Sequence, residues 1–134
     1  MKDDDPLAAN PPAARLLGRR VIAVDRQHGA VELAFTAAPD FANRHGFVQG
    51  GMLAAMLDST VGCAAVAALD GQSVVTLTMN VTYLRPAGVG PIEASGRIVH
   101  RGGSVVFASG ELRDRSGAVV ASATATLRIV RAKS

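Results

Sequence analysis

The sequence predicts an α+β domain in which one long helix is covered by an antiparallel sheet of five or six strands, and three observations lead there. Only one stretch, residues 50 to 69, has the Ala, Leu and Met content of a long helix. Around it, short segments place apolar residues at every second position, the period of a strand with one buried face. Most of the connections between those segments are short turns, whereas a parallel crossover needs about a dozen residues. One helix against one antiparallel sheet is an α+β arrangement.

The elements follow in order. Residues 1 to 14 combine three Asp, three Pro and several Ala and read as a flexible lead-in; residues 15 to 134 form a single domain, within the usual size range. "RRVIAVDRQ" and "AVELAFT" are two strands joined by the turn "QHGA", which leaves His28 facing solvent. "APDFANRHGFVQ" is a loop. The helix follows and closes at Asp70 and Gly71. In "VVTLTMNVTYL", Val75, Leu77, Met79, Val81 and Tyr83 alternate with Thr76, Thr78, Asn80 and Thr82, which predicts one half-buried strand. "IEASGRIVH" and "VVFASGELRD" flank the hairpin turn "RGGS". In the last strand Ala121, Ala123, Ala125, Leu127 and Ile129 form one face, with Ser122, Thr124, Thr126 and Arg128 opposite. No segment repeats.

Composition narrows the function classes. Apolar residues make up 49% and aromatics 4% with no Trp, so Val, Ala and Leu must build the core. The net charge is +3, with 12 Arg against 2 Lys spread along the chain. A nucleic-acid partner is not expected, because backbone binding calls for a basic patch, usually with stacking aromatics. Arg does suit the phosphates of a small molecule. Cys63, the single cysteine, permits no intrachain disulfide or cysteine metal site, and no activating base flanks it; it is expected as a buried structural thiol. Asp58 interrupts the longest apolar run, and the acidic N-terminus lacks the apolar centre of a signal peptide, so a cytoplasmic protein without a membrane span is expected.

Asp58 is the only formally charged residue between Arg44 and Asp70. At 100° per residue it shares a stripe with Gly51, Ala55, Gly62 and Ala65, while Leu53, Met56, Leu57 and Ala64 lie opposite. A solvated stripe would carry Glu, Lys or Arg; small residues admit another backbone or a ligand. The Gly50–Gly51 pair supplies free amides at the helix start, where the dipole favours negative charge and a carbonyl oxygen can be held as it becomes an oxyanion. Asp58 lies about 11 Å further along the axis, so one helix cannot bring both to one carbon. Two helices packed antiparallel about a twofold axis can, and this also covers a helix that is apolar nearly all round. A dimer with composite sites is expected. A structural carboxylate bonded to a backbone donor is the plainer reading of Asp58.

The spacing of Asn43, Gly46, Gly50, Gly51 and Asp58 resembles that of the hotdog-fold acyl-CoA thioesterases, specifically the phenylacetate-degradation type. The likeness continues through "VTLTMNVTYLRPA", "GRIVHRGGSVVFASGELRD" and "GAVVASATATLRI", roughly residues 19 to 130. It implies a sheet wrapped round a central helix, dimers that often pair into tetramers, and hydrolysis of an acyl-CoA thioester without a cofactor. Asp58 then matches the general base or nucleophile, Asn43 a loop side chain that orients water or thioester, and Gly50 and Gly51 the oxyanion amides. Thr76 matches a Ser or Thr sometimes found near the attacking water, and equally an ordinary strand Thr. Gln49 stands where His is commoner; it can donate to a carbonyl but cannot titrate. His45 reaches toward the site or serves the loop.

Arg85 and Arg101, with Gly102 beside the latter, match positions that contact the phosphates or pantetheine arm of CoA, or else are rim arginines. His100 reads as an ordinary strand residue. Two other functions compete with hydrolysis: an acyl-CoA binding module without catalysis, and a hydratase or dehydratase, which usually pairs a catalytic His with an acid, a pattern that no His here matches securely.

Overall fold

The computed structural model describes residues 5–70 and 72–130. Six strands form one antiparallel sheet: β1 (Arg20–Asp25), β2 (Ala30–Ala37), β3 (Ser73–Tyr83), β4 (Gly90–Arg101), β5 (Val105–Arg113) and β6 (Val119–Val130). Their spatial order is β1-β2-β4-β5-β6-β3, so β1 and β3 are the edges. A short helix, α1 (Pro12–Leu16), precedes β1, and the long helix α2 (Gly50–Ala68) lies between β2 and β3 in sequence. The strand, strand, helix, four-strand order expected from the sequence is the order observed.

α2 is long and apolar enough to cross a membrane by length and composition alone, yet β2, β3, β4, β5 and β6 all pack against it. Leu53, Met56, Leu57 and Ala64 are at most 3% exposed, as their helical spacing predicts. Burying each of the larger ones contributes about 1.5–3 kcal/mol relative to exposure. On β6 the five residues from Ala121 to Ile129 face this core, again as predicted. Where β4 crosses the helix there is no room for a side chain. A Cβ on Gly96 would sit 2.8 Å from Thr60 Cγ2 and 2.9 Å from the Thr60 carbonyl oxygen.

Three expectations need correction. Of the lead-in, residues 1–4 lie outside the described residues, but Leu7 and Ala14 are each only 3% exposed. The prolines there, rather than loosening the chain, start a 3-10 turn (Pro6–Ala8) and α1, where their fixed φ suits the first turn. Arg19 then ties Ala9 to α2, its guanidinium donating to the Ala9 carbonyl and to Ser59 Oγ, each at 2.9 Å.

Second, β3 does not keep one alternation. Its register against β6 shifts between Thr76 and Thr78, and such a bulge moves every later side chain to the other face. Met79 and Val81 pack on the core together with Val74, while Val75 and Leu77 are 50% and 53% exposed. Third, Ala65 belongs to the core instead of the small-residue stripe, whose Gly51 and Asp58 are exposed. α2 ends at Ala68 with Leu69 already extended; Asp70 is exposed, and Gly71 lies outside the described residues.

Candidate active site

The loop ahead of α2 is held at several points, and that fixes where the helix begins. The amide of Asn43 donates to the Phe47 carbonyl, and its side-chain Oδ1 accepts from the amides of His45 (2.9 Å) and Phe47 (3.2 Å). The turn closes through Gly46, whose φ of 83° is costly for any residue with a Cβ. The Gln49 amide donates to the Phe41 carbonyl and the Val48 amide to that of Ala87, both at 2.8 Å.

Gln49 is the N-cap, but its side chain makes no capping bond and is exposed. Its carbonyl accepts from Met52 (2.9 Å) and Leu53 (3.3 Å). The amides of Gly50 and Gly51, ahead of those, have no intrahelical acceptor and sit at the positive end of the helix dipole. Gly51 is exposed, and a Cβ there would meet nothing within 4 Å.

Asp58 lies two turns further on. It is exposed within the chain, and its Oδ1 accepts a 2.6 Å hydrogen bond from Thr76 Oγ1. That bond holds the carboxylate in one orientation. Oδ2 remains able to take a proton or attack. At the other end of β3, Tyr83 Oη donates to the Gly50 carbonyl at 2.8 Å. Thr76 and Tyr83 are seven positions apart, and in an unbroken strand such residues point to opposite faces. The bulge between Thr76 and Thr78 is what turns both toward α2.

The structure therefore brings Thr76 to Asp58 and Asn43 to the loop beneath Gly50 and Gly51. It leaves the other predicted residues apart. His45 is exposed, and its Nε2 accepts from Arg44 Nε at 3.2 Å. Arg101 donates to the Ala68 carbonyl at 3.3 Å, where a cation complements the C-terminal end of the dipole. That end is about 27 Å along the helix from Gly50. Gly102 is beside it in the β4–β5 turn, its amide donating to Val105 at 2.8 Å. Arg85 is exposed at the opposite end, where its amide donates to the Val120 carbonyl and its charge lies near Asp114. Cys63 is a free buried thiol whose pKa burial pushes up, which removes it as a nucleophile.

Tyr83 was not singled out in the sequence. As the last residue of a strand with an alternating pattern it reads as an ordinary half-buried aromatic, and only the bulge gives it a partner on α2.

Comparison with known proteins places the chain in a family. Residues 45–121 match the family model described as thioesterase superfamily. A solved structure from Ralstonia eutropha JMP134, described as a thioesterase and phenylacetic acid degradation-related protein, is 41% identical; it covers 92% of this chain and 96% of its own, with a TM-score of 0.84. Acyl-coenzyme A thioesterase 13 of Mus musculus is 32% identical over 75 residues, 55% of this chain and 54% of its own. The structure of smu.793 from Streptococcus mutans UA159 bound to acetyl CoA shares the fold at 21% identity and a TM-score of 0.78, covering 87% and 91% of the two chains. The chain belongs to the thioesterase superfamily and has its hotdog fold, a sheet wrapped round one long helix.

Proposed function

We propose that the protein hydrolyses an acyl-CoA thioester at sites shared between two copies of the chain. The observation that carries this is the Asp58 carboxylate, oriented by Thr76 and open to the outside, on the same helix as two amides without acceptors. The CoA part rests on relatives: the mouse protein is named an acyl-coenzyme A thioesterase and the streptococcal structure is bound to acetyl CoA.

The chemistry needs an electrophile, a base and an anion site. The thioester oxygen lies against the Gly50 and Gly51 amides of one chain, which stabilise the negative charge it gains. Asp58 of the other chain takes the proton of a water that attacks the carbonyl carbon, or attacks it directly to give an anhydride that water then cleaves. In both routes the C–S bond breaks as the oxyanion collapses, and CoA leaves as the thiolate and is protonated.

Two features support pairing of the chains. β3 is an edge of 11 residues with Val75 and Leu77 exposed, and the unpaired backbone of an edge of that length is a template for another strand. Joining two such edges about a twofold axis sets the α2 helices side by side and antiparallel. Asp58 of one then approaches the helix start of the other, and the exposed stripe of Gly51 and Asp58 becomes covered. Arg101 stands about 15 Å beyond Asp58 on the C-terminal side, where the pantetheine arm would carry the phosphates of CoA. Further pairing of dimers into tetramers is the expected assembly.

The test is release of thiol from a panel of acyl-CoAs by the wild-type protein and by Asp58→Asn. Turnover by the wild type that falls at least a hundredfold in the variant is expected. Binding of acyl-CoA without release of thiol would identify a binding module instead, and full activity in Asp58→Asn would remove the carboxylate from the mechanism. Single turnover in ¹⁸O water tests direct attack, since label enters Asp58 only when water opens an anhydride at the Asp58 carboxyl carbon.

A further inference from the structure

We infer that Tyr83 is a positioning residue for the oxyanion-binding amide of Gly51, an inference that rests on the reading of the site given above. The carbonyl of Gly50 and the amide of Gly51 belong to one peptide unit, which is planar. A group that fixes the carbonyl therefore fixes the direction of the N–H on the other side. Tyr83 does this from outside the helix: its hydroxyl donates to the Gly50 oxygen at 2.8 Å. Donation to the carbonyl also polarises the unit and makes its N–H a stronger donor, by about 10–30% per bond in a hydrogen-bonded chain.

The local design serves this contact. A Cβ on Gly50 would lie 3.2 Å from Tyr83 Cζ and 3.4 Å from its hydroxyl oxygen, so a side chain at residue 50 would make the ring give by a few tenths of an ångström. Gly51 has open space where Gly50 has the ring. The two glycines thus have separate reasons: one admits Tyr83, the other admits the substrate. The β3 bulge, in turn, lets the strand that presents Thr76 to the base also present Tyr83 to the anion site. Tyr83 is 51% exposed, so the bond lies at the rim of the site and not in the core that folds the chain.

The experiment compares wild type with Tyr83→Phe, which keeps the ring and removes the donor, and with Gly50→Ala, which shifts the ring by a few tenths of an ångström and lengthens its hydrogen bond. Three readouts are taken on each: kcat and KM for hydrolysis, the melting temperature, and the infrared carbonyl stretch of a bound acyl-CoA analogue with a ketone in place of the thioester. For Tyr83→Phe the expected result is a kcat about tenfold lower, a part of the ~10²–10³ that a whole oxyanion donor supplies, with KM changed less than twofold. The melting temperature stays within about a degree, and the ketone stretch moves to higher frequency than in wild type. Gly50→Ala lowers kcat similarly, and adding Tyr83→Phe to it lowers kcat little further. Unchanged kcat and unchanged carbonyl frequency in Tyr83→Phe overturn the inference, as does a loss of kcat matched by a fall in melting temperature with the frequency unmoved. A wild-type protein that binds the analogue but cleaves no thioester contradicts the proposed function alone; the carbonyl frequency still decides the role of Tyr83.

Discussion

Asp58 and Thr76 define the chemistry at the scale of single residues. A carboxylate held by one oxygen and free at the other is poised for proton transfer, and the 2.6 Å bond from Thr76 limits its rotation. Thr76→Val keeps the shape and removes the donor. It is expected to lower kcat about tenfold while leaving acyl-CoA binding within a factor of two, checked by steady-state kinetics and calorimetry. Asp58 and the two glycines stood out in the sequence because a lone charge in an apolar run and a Gly pair at a helix start are rare patterns. Asn43 stood out as well, and the structure gives its Oδ1 a loop-closing task. Arg101 is a different case. Its place at the end of α2, bonded to Ala68, follows from the packing of β4 on a helix 33 residues earlier in the chain, which no local pattern encodes.

At the scale of elements, the approach of β4 to α2 and the turn between β5 and β6 give separate predictions. A Cβ added to Gly96 would lie 2.8–2.9 Å from Thr60, and one of the obstructing atoms is backbone oxygen, which cannot rotate away. Gly96→Ala is expected to destabilise the fold by about 1–3 kcal/mol, measured by chemical denaturation. The β5–β6 turn is closed by Asp114, whose Oδ1 accepts from the Ser116 hydroxyl (2.6 Å) and from the amides of Ser116 (2.9 Å) and Ala118 (3.2 Å). The Ser116 hydroxyl bond is the main reason its carboxyl is held below the usual 3.8. A depressed folded pKa means that the contribution is present above the unfolded value and is lost as pH falls through the lower folded one. An NMR titration is therefore expected to give Asp114 a midpoint below 3.8. A midpoint at or above it would remove the turn's hydrogen bonds from the account.

The element order, the central helix and the face of β6 were legible in the sequence because each rests on a local period. The face of β3 was not, for a bulge adds one residue to a strand without changing its composition. Val75 and Leu77 consequently read as core and are surface, and Tyr83 read as core and reaches Gly50. The lead-in was misread for a related reason. Pro and Asp suggest disorder by composition, while Leu7 and Ala14 acquire their cover only from the folded domain.

At the scale of the whole molecule the account depends on two chains, because about 11 Å of helix separates Asp58 from Gly51 in each. The exposed edge of β3 should then be an interface. Leu77→Glu, which places a charge on an apolar edge without touching the core, is expected to shift the protein toward monomer in native mass spectrometry and to lower activity in proportion. Activity that stays with the monomer would separate catalysis from pairing.

Mixed dimers test the composite site most directly. Asp58→Asn removes the base, and Gly51→Pro removes the oxyanion amide in the first helical turn, where proline is tolerated. Each homodimer is expected to be inactive. If each site draws Asp58 from one chain and Gly51 from the other, a purified heterodimer of the two variants has one site with both defects and one with neither. It should recover about half of the wild-type turnover per dimer. A heterodimer as inactive as its parents would show that base and amide come from the same chain, and would contradict the two-chain site.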